Sequence, residues 1–329
     1  MGEYARSLAI AQAAKVRWPD AQVHFVLSMQ APYAAATPFE HTLVPSSPTF
    51  HSAEVIACVR RFKPDVVIFD NAGRSAQLRA AHASGAAVIY ISSRRRQRNR
   101  GFRWRWMGML DEHWIAYPEF IAGAPGPLES LKLALRGRPQ LRYLDVILST
   151  GTGAPAQGAG TGAFALVVPG GGTGHPGAAD AAARFYSAAL QLATAGIRTV
   201  YVGPVNTGET ASNLQVIATL PQAELAALMR GAEIIVVNGG STLLQGIACG
   251  RACVAIAIAK DQRERIRRCV AAGAAIDAPL AADAIAATAL SIWHDGPKRE
   301  ALARCAADLE LRDGIEVALQ GISASLRNA

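Results

Sequence analysis

An α/β architecture of two domains, each built on a parallel sheet flanked by helices, is what this 329-residue sequence predicts. Three observations lead there. Apolar runs at 65–70 (DVVIFD), 234–237 (IIVV) and 252–259 (ACVAIAIA) carry little polar alternation, as strands covered on both faces do. Such strands alternate with helical stretches in both halves, which argues for parallel sheets. Between the halves lies 149–162 (STGTGAPAQGAGTG), low-complexity, flexible chain that makes the natural boundary.

Composition narrows the class. Hydrophobic residues make up 51% and charged residues 18%, the balance of a well-filled globular protein. No apolar run is long enough to cross a bilayer, and no signal-peptide core opens the chain. Five scattered cysteines lack metal-ligand spacing and read as reduced thiols, which points to a cytoplasmic setting and to no bound metal. A net charge of +8 favours an anionic partner.

Taken in order, the chain opens on an alanine-rich helical pattern reaching Arg17, and the first clear strand is 22–28 (QVHFVLS). A nucleotide-binding α/β domain begins with a strand, so the expectation is a first strand missing from the start of the chain. Helix 53–62, strand 65–70, helix 74–84 and strand 87–91 follow. Ligands to parallel sheets collect at the carboxyl ends of strands, so Asp70, Asn71, Ser92 and Ser93 are candidates to line a site.

The segment 94–110 (RRRQRNRGFRWRWMGML) interleaves seven arginines with Phe102, Trp104, Trp106, Met107 and Met109. Three readings stand: a solvated basic helix with its aromatics packed inward, docking on an anionic membrane, and single-stranded nucleic-acid binding. Membrane docking ranks first, with Arg94, Arg95, Arg96, Arg98, Arg100, Trp104 and Trp106 as its contacts, and nucleic acid ranks last. The following Asp111-Glu112-His113 is expected to neutralise some of these arginines.

In the second half, strand 164–168 leads into Pro169-Gly170-Gly171-Gly172-Thr173-Gly174-His175, a glycine loop able to approach a phosphate. No Lys-Ser/Thr follows its last glycine and no acidic residue ends the next strand, so neither a Walker A loop nor a dinucleotide fingerprint is present. His175 could donate to a phosphate or serve only at a helix entry. Helix 178–195 and strands 199–202 and 215–218 come next, then strand 234–237, which stops at Asn238-Gly239-Gly240-Ser241-Thr242 before a helix at 243–249. Such a turn leaves backbone N–H groups open at a positive helix end. Strand 252–259 runs into Lys260-Asp261-Gln262, and 281–326 reads as helical.

The GGST turn, the Gly-terminated helix and the strand ending in Asp-Gln together resemble the donor half of GT-B glycosyltransferases of the MurG type and of the UDP-sugar hydrolase PseG. The resemblance implies a GT-B fold, two Rossmann-like domains whose parallel sheets face an interdomain cleft. It places an acceptor-side domain at 1–148, a linker at 149–162, a donor domain at 163–296 and bracing helices at 297–329. It implies that Gly171, Gly172, Thr173, Gly174 and His175, with Asn238, Gly239, Gly240, Ser241 and Thr242, hold a nucleotide diphosphate. Gln245 stands where the family has a glutamate for the ribose, and Asp261-Gln262 resembles a pair that contacts the sugar. Ile217 and Ala218 fall where the base packs. Gly2-Glu3-Tyr4-Ala5-Arg6 resembles the Gly-His-x-x-Arg motif of PseG, which implies Glu3 as catalytic base and Arg6 as an anion contact, with Asp70 the second choice of base and Asn71 beside it. The implied activity is metal-independent sugar transfer from a nucleotide-diphosphate donor, UDP by family default, to a lipid-linked or cell-envelope acceptor at the inner face of the plasma membrane. Two alternatives stay open: a nucleotide-sugar hydrolase, and a non-catalytic binding protein.

Overall fold

The structure, a computed structural model, describes residues 2–147, 162–170, 178–205 and 208–327. The chain divides into two compact units: Gly2–Ile147 with Asp313–Ala329, and Leu148–Arg312 (with Met1). Each is described by itself.

The N-terminal unit begins with helix α1 (Gly2–Arg17), followed by strands β1 (His24–Ser28) and β2 (Glu40–Val44) and helix α2 (Ser52–Phe62). β3 (Val66–Asp70), α3 (Ser75–Ala83) and β4 (Ala87–Ser92) come next, then the short helices α4 (Arg95–Gly101) and α5 (Trp104–Met107). β5 (Glu112–Ile115), α6 (Glu119–Ala122), α7 (Pro127–Arg136) and β6 (Gln140–Tyr143) complete its first segment. Among the described residues no strand precedes β1, which pairs only with β2; β3-β4-β5-β6 form a separate, all-parallel sheet. Alternation along β4 divides the core: Ile89 and Ile91 face one cluster with Ile10 of α1 and Trp114, while Val88 and Tyr90 face another with Val55 and Val59 of α2 and Leu78 of α3. Each such side chain, fully buried, is worth about 1.5–3 kcal/mol.

The C-terminal unit runs β7 (Ala165–Val168), α8 (Ala178–Thr194), β8 (Thr199–Val202), β9 (Leu214–Ile217) and α9 (Gln222–Gly231). It continues with β10 (Ile234–Asn238), α10 (Ser241–Ala248), β11 (Ala252–Ile256), α11 (Lys260–Ala271), β12 (Ala275–Ala278), α12 (Ala282–His294) and α13 (Gly296–Asp308). The last helix, α14 (Gly314–Arg327), returns to the N-terminal unit, where Val317, Ala318 and Ile322 pack beside Ile10 and Trp114. The six strands are parallel in the order β12-β11-β10-β7-β8-β9. Phe185 and Leu192 of α8 with Ile285 and Ile292 of α12 cover the face carrying Val236 and Val254. On the opposite face, Gly246 of α10 lies so close that a Cβ there would meet Cys253 Sγ at 2.9 Å.

Most apolar strands fall within a residue or two of their expected places, but β11 ends at Ile256, three residues short of the expected 259, and α10 starts at Ser241, two residues earlier than its pattern. The expected pairing of Asp111-Glu112-His113 with the arginines of 94–105 is overturned. Asp111 Oδ1 accepts from Arg138 Nη2 at 2.6 Å, and Glu112 takes Arg142 at 2.7 and 2.9 Å. Pairing of β5 with β6 brings Arg142 to Glu112, and Arg138, just before β6, reaches Asp111, just before β5. His113 is fully buried, its Nε2 2.8 Å from Ser92 Oγ, and a Cβ on Gly101 would strike its ring at 2.3 Å.

Burial, with the nearby Arg98 charge adding to it, pushes the His113 pKa down to about 3, so the ring is neutral in the fold. In the unfolded chain it takes up a proton below its ordinary value of 6.5. The stability it confers is therefore complete above pH 6.5 and is lost as pH falls toward 3. Between pH 7 and pH 4 this residue alone removes about 3 kcal/mol. Urea unfolding at both pH values should show that loss in the wild type and a correspondingly smaller one in His113→Gln; equal losses would refute a neutral buried ring.

Candidate functional site

In the C-terminal unit the chain winds from β7 outward to β8 and β9, then crosses back to lay β10 on the other side of β7. The carboxyl ends of β7 and β10 thus flank the point where winding reverses, the place where open parallel sheets form a crevice. Two turns meet there. Pro169-Gly170 leaves β7, and Asn238-Gly239-Gly240 leaves β10 into α10. Asn238, only 5% exposed, joins them: its Nδ2 donates to the Pro169 carbonyl at 2.5 Å, and its Oδ1 accepts from Gly240 N–H at 2.7 Å.

Backbone geometry makes the glycines necessary. Gly170 has φ +83°, and a Cβ on it would lie 2.0 Å from Asn238 Nδ2. A Cβ on Gly240 would lie 2.6 Å from Asn238 Oδ1. Gly240 is the N-cap of α10 and has no side chain of its own with which to cap the first N–H groups of that helix. Ser241 is exposed and Thr242 half-buried at this end. Arg265, which sequence reasoning missed, lies buried behind the turn and donates through Nη1 to the Gly239 carbonyl. Its signal was faint: an arginine on α11, on the same side as Ile266 and Cys269, where an apolar residue fits the pattern.

The other donor-site candidates are placed unequally. Gln245 is buried within α10. Gln262 is buried as well, and its Oε1 accepts from Ile258 N–H at 2.9 Å, so that oxygen shapes the loop after β11. Asp261 is exposed, 3.8 Å from Arg265. Ile217 ends the edge strand β9, two strands from β7, and its carbonyl accepts from Gly203 N–H; Ala218 is exposed beyond it. Gly171, Gly172, Thr173, Gly174 and His175 lie outside the described residues, as does 149–161 of the linker.

In the N-terminal unit the carboxyl end of β3 gathers a second cluster. Arg6 grips Asp70 with two hydrogen bonds, Nε to Oδ2 at 3.0 Å and Nη2 to Oδ1 at 2.5 Å, and Ser7 Oγ adds a third to Oδ2 at 3.1 Å. Burial pushes the Asp70 carboxyl above its ordinary range, with Arg6 and Ser7 pulling the other way. Two expectations are corrected here: Arg6 is not a free anion contact, and Asp70, held on both oxygens, is not an available base. Asn71, in the left-handed region at φ +52°, donates through Nδ2 to Glu3 Oε1 at 3.0 Å and lies 2.6 Å from Ser93 Oγ, while its Oδ1 accepts from Ser93 N–H. Glu3 is exposed, so the cluster offers one solvent-facing carboxylate.

The basic segment divides. Arg98 is 8% exposed and donates to the Ala122, Gly123 and Ala124 carbonyls and to Glu129. Trp106 is 3% exposed, with its Nε1–H donating to Ser75 Oγ at 3.0 Å. Neither can meet a surface partner, which corrects their assignment. Arg100 is half-buried over the Trp106 ring. Arg94, Arg95, Arg96 and Trp104 remain exposed, joined by Arg103 and Arg105. No group of three or more His, Cys, Asp or Glu able to hold a metal occurs among the described residues, and no helix there is long and apolar enough to cross a membrane.

No protein-family model and no curated protein matches the chain. Solved structures do. The spinosyn forosaminyltransferase SpnP aligns over 98% of this chain and 94% of its own, with a TM-score of 0.69 at 14% identity. The glycosyltransferase SnogD from Streptomyces nogalater covers 97% and 95%, with a TM-score of 0.60 at 17% identity. A UDP-N-acetylglucosamine 2-epimerase, so described tentatively, from Listeria monocytogenes covers 91% and 94%, with a TM-score of 0.56 at 12% identity. At these identities the likeness establishes the fold: the chain has the GT-B architecture.

The Arg6–Asp70 pair, with side chains 11% and 9% exposed, yields a stability test. Removing one partner of a buried pair leaves an uncompensated charge and costs about 3–5 kcal/mol. Arg6→Leu should therefore destabilise the protein by about that much in urea unfolding, and Asp70→Asn added to it should recover part of the loss. A cost within about 0.5 kcal/mol for Arg6→Leu, the usual surface value, would show that the pair is not structural.

Proposed function

We propose that the protein is a glycosyltransferase that takes a sugar from a nucleotide-diphosphate donor, with UDP the first nucleotide to test. The observation that carries the reading is the clamp at the reversal point of the C-terminal sheet. There the Asn238 amide fixes the Gly240 turn, and the N-terminus of α10, whose N-cap is a glycine, begins directly after it. Backbone N–H groups at a positive helix end suit a diphosphate, and they stabilise the charge that develops as it leaves the anomeric carbon. No metal need take that role in this reading. Gln245 replaces a carboxylate by a neutral amide, which makes any ribose hydrogen bond weaker. SpnP and SnogD, described as transferases of sugars, support the reaction class.

Transfer also needs a base for the acceptor hydroxyl. Glu3 is the better choice, because Asp70 is occupied by Arg6 and Ser7 while Glu3 is exposed and steadied by Asn71. The exposed arginines beside Trp104 favour an acceptor presented at an anionic surface, a lipid-linked or cell-envelope molecule. A second reading keeps the donor site: the fold is shared with proteins described as UDP-N-acetylglucosamine 2-epimerases, so a nucleotide sugar can be the whole substrate. If water takes the acceptor's place, the nucleotide sugar is hydrolysed and nucleoside diphosphate appears with no acceptor added.

Thermal melts with saturating UDP, GDP, CDP and dTDP test the donor site. A diphosphate at about a hundred times its Kd adds about 2.7 kcal/mol to stability. UDP should give the largest shift, and Gly240→Asp, which sets a carboxylate against Asn238 Oδ1 and the bound phosphate, should abolish it. No shift with any of the four sinks the donor-site reading.

Glu3→Gln tests the base. It should lower kcat by about a hundredfold or more while leaving the diphosphate shift intact, since the carboxylate acts on the acceptor proton only. An unchanged kcat removes Glu3 from the mechanism.

A further inference from the structure

Helix α7 is turned inside out. Pro127 at its first turn and Gly137 at its C-cap, in the left-handed region, fix its ends. Within it, Glu129, Lys132 and Arg136 face the protein. Glu129 pairs with buried Arg98 at 3.0 Å, Lys132 Nζ donates to the Phe102 carbonyl, and Arg136 stacks over the Trp104 ring at 4.7 Å. Three of its four leucines face out, while Leu133 is half-buried. Leu128 is 72% exposed, Leu131 55% and Leu135 70%, at the i, i+3, i+7 spacing of one helical stripe. No residue of α7 is buried. A folded protein normally turns such a stripe inward, and an exposed apolar stripe beside charged residues marks a docking face.

Its surroundings indicate the occupant. Trp104, 47% exposed, is tied to α7 through Arg136, so the indole borders the helix. Arg103 and Arg105 flank Trp104, and Arg94, Arg95 and Arg96 at the start of α4 are exposed. Between Arg94 and Arg136 the sequence holds nine Lys and Arg against four Asp and Glu. Three of those acids, Asp111, Glu112 and Glu129, are already paired with arginines. The excess charge is therefore positive around an apolar stripe. A second copy of the same face would bring like charges together, whereas an anionic bilayer accepts both parts: leucines below the headgroups, tryptophan at their level, arginines on the phosphates.

We infer that the exposed leucines of α7 and Trp104 enter the headgroup layer of an anionic membrane while the arginines of α4 and α5 hold its phosphates. This deepens the anionic-surface part of the proposed function, and the donor site plays no part in it.

Cosedimentation with vesicles of phosphatidylglycerol and phosphatidylcholine, against phosphatidylcholine alone, reads the docking. Binding should require phosphatidylglycerol and weaken in high salt. Leu128→Asp with Leu131→Asp should weaken it by about tenfold or more, as should Arg95→Glu with Arg103→Glu. Every one of these side chains is exposed, so melting temperature should hold, and tryptophan emission should shift to the blue on binding in the wild type but not in Trp104→Phe. Binding that is indifferent to phosphatidylglycerol, or unchanged in the leucine variant, overturns the proposal. So does light scattering that finds a dimer which the leucine variant dissolves. The UDP shift measured in the leucine variant separates the two readings: a lost vesicle interaction with an intact shift concerns the docking face alone, and a lost shift with intact vesicle binding concerns the donor site alone.

Discussion

The side-chain amide of Asn238 is the contact on which the C-terminal unit's turns depend. Its two polar atoms satisfy one backbone acceptor from the β7 turn and one backbone donor from the β10 turn. Those turns are sequence-distant, sixty-nine residues apart at the Asn238–Pro169 bond, and a buried amide left half-satisfied would cost about 1–3 kcal/mol. Close approach follows, and with it the glycines at 170 and 240, where a Cβ would occupy the space of that amide. Arg265 holds the Gly239 carbonyl, so the turn that leads into α10 is fixed by side chains from two elements. A rigid set of donors already in position costs little to reorganise when charge develops, which is the physical requirement for stabilising a leaving diphosphate.

The N-terminal unit solves a similar problem with charge. Arg6 and Ser7 on α1 bind Asp70 at the end of β3, and Asn71 next to it adopts a left-handed conformation that lets one side chain reach Glu3 and Ser93. The tight pair fixes the helix on the strand, and Glu3, one turn earlier on α1, inherits a defined position from it. A carboxylate that is exposed yet anchored can accept a proton. One gripped by a guanidinium and a hydroxyl cannot do so without breaking the anchor.

Much of this was legible in the sequence, and the physical reason differs by element. Buried parallel strands announce themselves as apolar runs, so β3, β4, β10 and β11 were readable, along with the turns that follow them. The short strands β2 (EHTLV) and β6 (QLRY) carry polar residues and offered no such run. Pairings across strands were invisible: Asp111 and Glu112 stand next to seven arginines in sequence, yet their partners, Arg138 and Arg142, are brought alongside by the register of β5 and β6. The roles of Arg6 and Asp70 were misjudged for the same reason. Each has the chemistry for a site, and only the fold shows that they neutralise one another.

Composition alone likewise could not divide the segment from Arg94 to Leu110. Phe102, Trp106 and Met107 are buried, and Arg98 is drawn in to satisfy three carbonyls at the end of α6, so half of what resembles a surface motif is the anchor of that surface. The apolar contribution comes instead from α7, where Leu128, Leu131 and Leu135 share one exposed side at helical spacing. Periodicity reports that a helix has an apolar side without saying which way that side turns. Here the direction is set by Arg98: its pairing with Glu129 commits the charged side of α7 to the protein, and the leucines are then left to the solvent side. Neutralising the buried guanidinium and exposing the stripe are one and the same choice of helix rotation.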